Sequence, residues 1–269
     1  MEYINNIDFS KLSEEYQGAK YFPHIIIDNF FKEEKLEHIF DQVESLKLED
    51  STDKFSNIKF ENNKFGFCYN ELNAGCKHIL AELNSDVFIK HIETLTGIKN
   101  IIHNYDLRGA GVHKSIQGGL LGAHTDFNMY YDSVNGIIDR RINILIYLNK
   151  DWKEAYGGEL ILYDQELKPF NTILPIFNRC VIFSTTNKSI HGHPHALTCP
   201  ENVVRQSIAN YYYTRNAESS DQKNIEKVKD FEGDTIHSTL FFDIVNNDKT
   251  PYEWDGKQFT RNKKYEIHR

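Results

Sequence analysis

The sequence predicts a mostly β fold with flanking helices, an antiparallel barrel or sandwich buttressed by them, and three observations predict it. From about residue 99 the chain breaks into short apolar runs separated by Gly-rich or charged turns such as "YGGE" at 156–159. Ahead of them lie stretches whose apolar residues recur at helical spacing. Aromatic residues reach 13%, mostly Phe and Tyr, among many Ile, Val and Thr, a composition that suits half-buried pleated surfaces. Helices first and many short strands after is the order expected of a sheet structure supported by helices.

In chain order, "YFPHIIIDNFF" (21–31) reads as a strand ending at Asp28-Asn29. "KEEKLEHIFDQVESLKL" (32–48) has helical spacing at Leu36, Ile39, Phe40, Val43 and Leu46. Residues 49–64 are polar and read as loop, and helical character returns over 72–96 through Leu80, Leu83, Phe88, Ile89 and Ile92. Strands are expected at 100–106, 118–126, 140–149, 159–163, 172–175, 179–184 and 203–213. The expected organisation is one domain over 1–214 and a partly polar C-terminal extension over 215–269. Residues 214–235 read as a flexible segment, and "TLFFDIV" (239–245) is apolar enough to dock back on the barrel.

The totals bound the function classes. The chain has 269 residues, 40% hydrophobic and 26% charged, as for an ordinary globular protein. A net charge of −8 with no Lys/Arg-dense stripe argues against a nucleic-acid partner. No apolar run reaches the roughly 18 residues of a membrane span, so no membrane partner is expected. Cys68, Cys76, Cys180 and Cys199 show neither C-x-x-C spacing nor disulfide-scaffold density, and the opening "MEYINNIDFSKL" is not a signal peptide. The expectation is a cytoplasmic protein in a reducing compartment, where a ferrous metal keeps its oxidation state.

Three stretches carry candidate chemistry. In "LLGAHTDFN" (120–128), His124 and Asp126 are two apart on a strand and so share a face. That face either lines a cavity, where the pair could hold a metal, or is a polar edge. "RRINILIYLN" (140–149) alternates cleanly: Ile142, Ile144, Ile146 and Leu148 on one face, Arg141, Asn143, Leu145, Tyr147 and Asn149 on the other. "RCVIFSTTNKSIHGHPHAL" (179–197) runs from a strand into a loop with His191, His193 and His195. Two imidazoles and a carboxylate on one face of a metal form the facial triad of non-haem iron oxygenases. In "NVVRQSIANYYYT" (202–214), Arg205, Ser207 and Ala209 share a face; an inward Arg needs an anion, either a protein carboxylate or a ligand.

Taken in order, H-x-D, "YLNKDW…GGEL", a strand–loop–His and R-x-S closely resemble the 2-oxoglutarate/Fe(II) dioxygenases, in particular their prolyl-4-hydroxylase-like branch. "IYLNKDW" with its following "GGEL" is similar to the corresponding stretch of the hypoxia-factor prolyl hydroxylases. The resemblance spans about residues 20–214 and is densest over 118–214. It implies a double-stranded β-helix, a cupin-like jelly roll enclosing the iron. It implies His124, Asp126 and His191 as iron ligands, His191 rather than His193 because of its distance beyond Phe183. Arg205, Ser207 and Tyr147 fall on cosubstrate-binding positions, with "TCPEN" (198–202) an extra turn before the anchor.

The implied cofactors are Fe(II), 2-oxoglutarate as cosubstrate and O2, with ascorbate in support. The implied reaction couples decarboxylation of 2-oxoglutarate to succinate and CO2 with hydroxylation of an unactivated C–H bond. The substrate is expected to be peptidyl or a small molecule: a prolyl residue, an amino acid, a sugar or another metabolite. Asn128, Arg140, Arg141, His113 and Gln117 are candidates to meet it. The alternative is a cupin-like metal-binding or partner-binding module without turnover, which would need no Arg205 anchor.

Overall fold

In the computed structural model, residues 140–147 lie within a strand at the middle of a curled antiparallel sheet, helices on one face and a cavity on the other. The structure describes all residues except 56–58, 104–108, 133, 187, 216–238, 256 and 263–269. Helix α1 (Phe9–Gly18) leads to strand β1 (His24–Ile27), helix α2 (Glu33–Glu44), strands β2 (Asp53–Phe55) and β3 (Glu61–Phe67), and helices α3 (Ala74–Leu83) and α4 (Asp86–Thr96). Then come β4 (Ile101–Ile102), β5 (Gly111–Thr125), β6 (Met129–Asp132), β7 (Gly136–Tyr147), β8 (Leu160–Tyr163), β9 (Pro169–Ile173), β10 (Arg179–Ser184), β11 (Ile190–His193) and β12 (Arg205–Arg215). Strands β13 (Leu240–Asp243), β14 (Asp248–Trp254) and β15 (Phe259–Arg261) follow.

The described strands join one sheet whose main path is β1-β10-β7-β12-β5-β11-β8-β9. Strand β5 belongs to both halves. Its first part pairs with β12, setting Ser115 opposite Arg205, and its last part pairs with β11, setting His124 opposite His191. The sheet therefore curls into the half-barrel of a jelly roll, and one strand links the two groups of polar residues that matter for the site.

Packing follows the alternation. Ile142, Ile144, Ile146 and Leu148 are fully buried in one core with Ile39, Val43, Phe88 and Ile92 of the helices. Each such side chain contributes about 1.5–3 kcal/mol on burial. On the opposite face, Tyr147 joins Leu160, Leu162, Val181 and Phe183 in a second cluster inside the barrel.

Several elements differ from the sequence expectation. The helical stretch 72–96 is two helices, because the Ser85 side chain caps α4 through the Phe88 amide at 3.2 Å and the Asn84 amide bonds Leu80 O at 2.9 Å. The expected loop 49–64 contains β2 and the start of β3, whose "ENNK" opening hides its strand character until β5 supplies partners. Helix α1 buries only Phe9 and Tyr16, too narrow a stripe to read from spacing. "TLFFDIV" does return to the barrel: Leu240 pairs with Thr125 and Phe241 with His124. The stretch 214–235 read as flexible lies, apart from Thr214 and Arg215 at the end of β12, outside the described residues. Among the described residues, no helix is long and apolar enough to cross a membrane.

Candidate active site

His124 stands at the penultimate position of β5, Asp126 just past its end, and His191 faces His124 from β11. The approach depends on Gly192. A Cβ there would lie 2.5 Å from the Gly122 carbonyl oxygen, so β11 reaches β5 only because the residue after His191 has no side chain. The two imidazole centroids are 4.3 Å apart, and the Phe183 ring packs edge-on against His191 at 4.6 Å.

Backbone carbonyls fix both tautomers. His124 Nδ1 is 2.8 Å from Gly122 O and His191 Nδ1 is 2.9 Å from Ser189 O. A carbonyl only accepts, so each Nδ1 carries the proton and each Nε2 keeps its lone pair. Asp126 Oδ1 lies 3.7 Å from His124 Nε2, and Asp126 Oδ2 lies 3.7 Å from His191 Nε2. The three side chains offer ligand atoms all within 4.8 Å of one another, the one such His/Cys/Asp/Glu group among the described residues.

Burial, with the neighbouring His124, pushes the His191 pKa down to about 4. Burial alone would raise that of Asp126, but the Arg140 charge and the two imidazoles hold it below the usual carboxylate range. His191 is therefore neutral and Asp126 ionised at neutral pH, and with His124 they form the two-imidazole, one-carboxylate donor set that suits Fe(II).

Arg140 and Arg141 part company at a β-bulge. The β7–β12 register pairs Ile142 with Tyr212 but Arg140 with Tyr213, leaving Arg141 as the extra residue. The strict alternation read from the sequence breaks there, and Arg140 joins the cavity face in place of Arg141. Its guanidinium donates to Asp126 Oδ2 at 2.9 Å and lines the cavity beside it. Arg141 instead donates to Thr214 Oγ1 and lines a separate groove with Lys99 and Arg215.

The cavity beside the three side chains has a volume of about 670 Å³. Arg205, Ser207, Tyr147 and His113 line it; Gln117 and Asn128 do not. Gln117 is exposed and its carbonyl accepts from the Asn63 amide, while the Asn128 carbonyl accepts from Arg140 N.

Arg205 is only 6% exposed, bonds Gly158 O through Nε at 2.8 Å, and sits 5.1 Å from the Tyr147 ring centroid. Among the described residues no carboxylate lies within ion-pair distance of it, and the buried Tyr147 hydroxyl meets no partner but Arg205 itself. A guanidinium buried without an anion costs several kcal/mol. These orphaned donors fit a carboxylate-bearing ligand.

Sequence reading missed three contributors. His193 faces the cavity from β11, buried, with Nδ1 unpartnered; only its i+2 spacing from His191 signalled this. Phe241 walls the cavity from β13, its ring 5.4 Å from that of His124. Trp254 lines the mouth and is 40% exposed. Neither aromatic carried a local motif.

Residues 110–213 match the family model of the 2OG-Fe(II) oxygenase superfamily. They contain His113, His124, Asp126, Arg140, Asn143, Tyr147, His191, His193, Arg205 and Ser207 of the cavity lining, but not its C-terminal aromatic wall. Over this stretch the chain is similar to the 2-oxoglutarate/Fe(II) oxygenases. The chain is thus an enzyme whose cofactors are Fe(II), 2-oxoglutarate and O2.

Solved structures share its fold. A prolyl hydroxylase from Trichoplax adhaerens, in complex with a hypoxia-inducible-factor peptide, matches with a TM-score of 0.58 and 22% identity, over 78% of this chain and 91% of that one. A Pseudomonas putida prolyl-4-hydroxylase matches with a TM-score of 0.53 and 14% identity, over 77% and 99%. A 2OG-Fe(II) oxygenase-family oxidoreductase from Burkholderia pseudomallei matches with a TM-score of 0.51 and 14% identity, over 79% and 93%.

Proposed function

We propose that this oxygenase hydroxylates an unactivated C–H bond of a peptidyl or small-molecule substrate, with His124, Asp126 and His191 holding Fe(II). One observation carries the residue assignment. Two Nε2 lone pairs and a carboxylate converge on the same cavity that contains the unpaired, buried Arg205. A metal-binding module without turnover has no use for that second feature.

When bound, Fe(II) and 2-oxoglutarate supply the oxidising chemistry, yielding succinate and CO2 as oxygen is inserted into the substrate. The protein's part is position. Gly122 O and Ser189 O hold the imidazoles in the ligating tautomer. Arg205 and Tyr147 present their donors to the distal carboxylate of 2-oxoglutarate, with Ser207 beside them. The substrate enters past Trp254 and Phe127 and meets the apolar wall made by Phe241, Leu121 and Leu145. These side chains exclude water from the reacting bond.

The four cysteines are free and three are buried, which supports a reducing, cytoplasmic setting. The test is succinate formation from 2-oxoglutarate with Fe(II) under air. The wild-type chain is expected to produce it and His191→Ala to lose it. Production by both at equal rates would refute the assignment.

A further inference from the structure

We infer that Arg140 and Asn143 form a clamp that keeps Asp126 a one-oxygen ligand and so preserves the coordination position that 2-oxoglutarate needs. The inference rests on the assignment of Asp126 to the metal. Both donors aim at one atom: Arg140 Nη2 reaches Asp126 Oδ2 at 2.9 Å and Asn143 Nδ2 reaches it at 3.0 Å. A carboxylate oxygen has two lone pairs, and these two hydrogen bonds occupy both of Oδ2's. Oδ1 faces His124 Nε2 and Oδ2 faces His191 Nε2, each at 3.7 Å, but both clamp hydrogen bonds go to Oδ2. One oxygen is thus held and the other is left to ligate.

The surroundings of the two donors point to the same pairing. Arg140 is 2% exposed and stacked between Tyr211, 3.4 Å from its guanidinium carbon to the ring centroid, and Phe127, at 4.8 Å. Among the described residues Asp126 is its one ion-pair partner, and its Nε has no hydrogen-bond acceptor. Asn143 is 3% exposed, and its amide makes one hydrogen bond, the one to Asp126, with Oδ1 unsatisfied. Two buried polar groups left partly unsatisfied cost stability. The bulge at Arg141 is the device that turns Arg140 inward to make the contact. Both are positioning residues, acting on the metal through Asp126.

The clamp makes an unusual demand on its variants. Freed from it, Asp126 has both oxygens available, so the metal loses nothing while 2-oxoglutarate loses a position. Anaerobic titration separates the two, using Mn(II) for calorimetry of metal binding and Fe(II) for the visible charge-transfer band of the 2-oxoglutarate complex. In Arg140→Met and Asn143→Ala, Mn(II) affinity is expected to stay within about twofold of wild type or to rise. The 2-oxoglutarate dissociation constant is expected to increase about tenfold, with the band displaced, in line with the size of effects from groups that support metal ligands.

Asn143→Ala removes only a small amide and decides the matter if Arg140→Met does not fold. Parallel weakening of Mn(II) and 2-oxoglutarate would mean a merely structural role, and unchanged 2-oxoglutarate affinity with an unmoved band would mean no role; either overturns the clamp. Asp126→Ala run alongside tests the underlying assignment separately. Metal binding that survives that substitution unchanged would remove Asp126 from the metal, whatever the clamp variants do.

Discussion

The Gly158 carbonyl accepts a hydrogen bond from Arg205 Nε, and no side chain fits between them. A Cβ on Gly158 would lie 2.9 Å from Arg205 Cδ, 3.1 Å from its Nε and 2.6 Å from Leu197 Cδ2, and the residue's φ of +76° is itself costly for any other residue. The second glycine of "GGEL" therefore sets where the guanidinium points. Gly158→Ala is expected to weaken 2-oxoglutarate binding about tenfold, or ~1.4 kcal/mol, while Mn(II) affinity measured by calorimetry stays at the wild-type value. Equal 2-oxoglutarate affinity in a folded variant would separate the glycine from the anchor.

Removing the anchor itself is expected to do more. Arg205→Ala takes away the buried cation that meets the cosubstrate carboxylate, a loss of roughly 3 kcal/mol or about a hundredfold in affinity. The iron site is expected to be spared, since Arg205 makes no hydrogen bond or ion pair to His124, Asp126 or His191. Saturation curves of succinate formation against 2-oxoglutarate check it; an unchanged half-saturation point would place the anchor elsewhere.

Gly192 tests the metal side in the same way. An alanine methyl would meet the Gly122 and Leu121 carbonyl oxygens at 2.5 and 2.8 Å, forcing β11 away from β5 and His191 away from His124. Metal affinity in Gly192→Ala is expected to fall at least tenfold, about 1.4 kcal/mol, with Tm lowered as well. Wild-type Mn(II) binding in that variant would mean that the two strands do not set the ligand geometry.

Acid should destabilise the metal-free protein before its carboxylates titrate. Burial pushes His113 down to about 3 and, with His124 beside it, His191 to about 4, while His193 is also held well below its ordinary value. A histidine in the unfolded chain titrates near 6.5. Between these values the unfolded state binds more protons, so stability falls as pH drops from about 6.5 towards 3. Thermal melts of the apo-protein are expected to show Tm decreasing from pH 7 to 4, with a shallower decline in His113→Leu. A Tm that holds steady or rises on acidification would contradict the buried neutral state.

Where sequence and structure agree and part is physically intelligible. His124, Asp126, His191, Arg205 and Tyr147 were legible because strand alternation and motif order both mark them, and the structure brings all five to one cavity. The isoleucine face of β7 was legible for the same reason. Alternation fails at a bulge, which a period-2 reading cannot see, so Arg140 and Arg141 exchanged roles. Long-range pairing was equally invisible: nothing local in "TLFFDIV" says that Phe241 will lie opposite His124 and wall the site. Gly158 and Gly192 stood in plain view, but the reason for each is a neighbour about 40 to 70 residues away in the chain.

The most direct measurement is an anaerobic titration of the Fe(II)-loaded protein with 2-oxoglutarate, followed by visible absorption. A charge-transfer band that saturates with 2-oxoglutarate in the wild type and is absent in His191→Ala is the expected result. It would place iron and cosubstrate together at His124, Asp126 and His191. A wild-type protein that demonstrably binds Fe(II) yet develops no band, or a band undiminished in His191→Ala, would contradict the account.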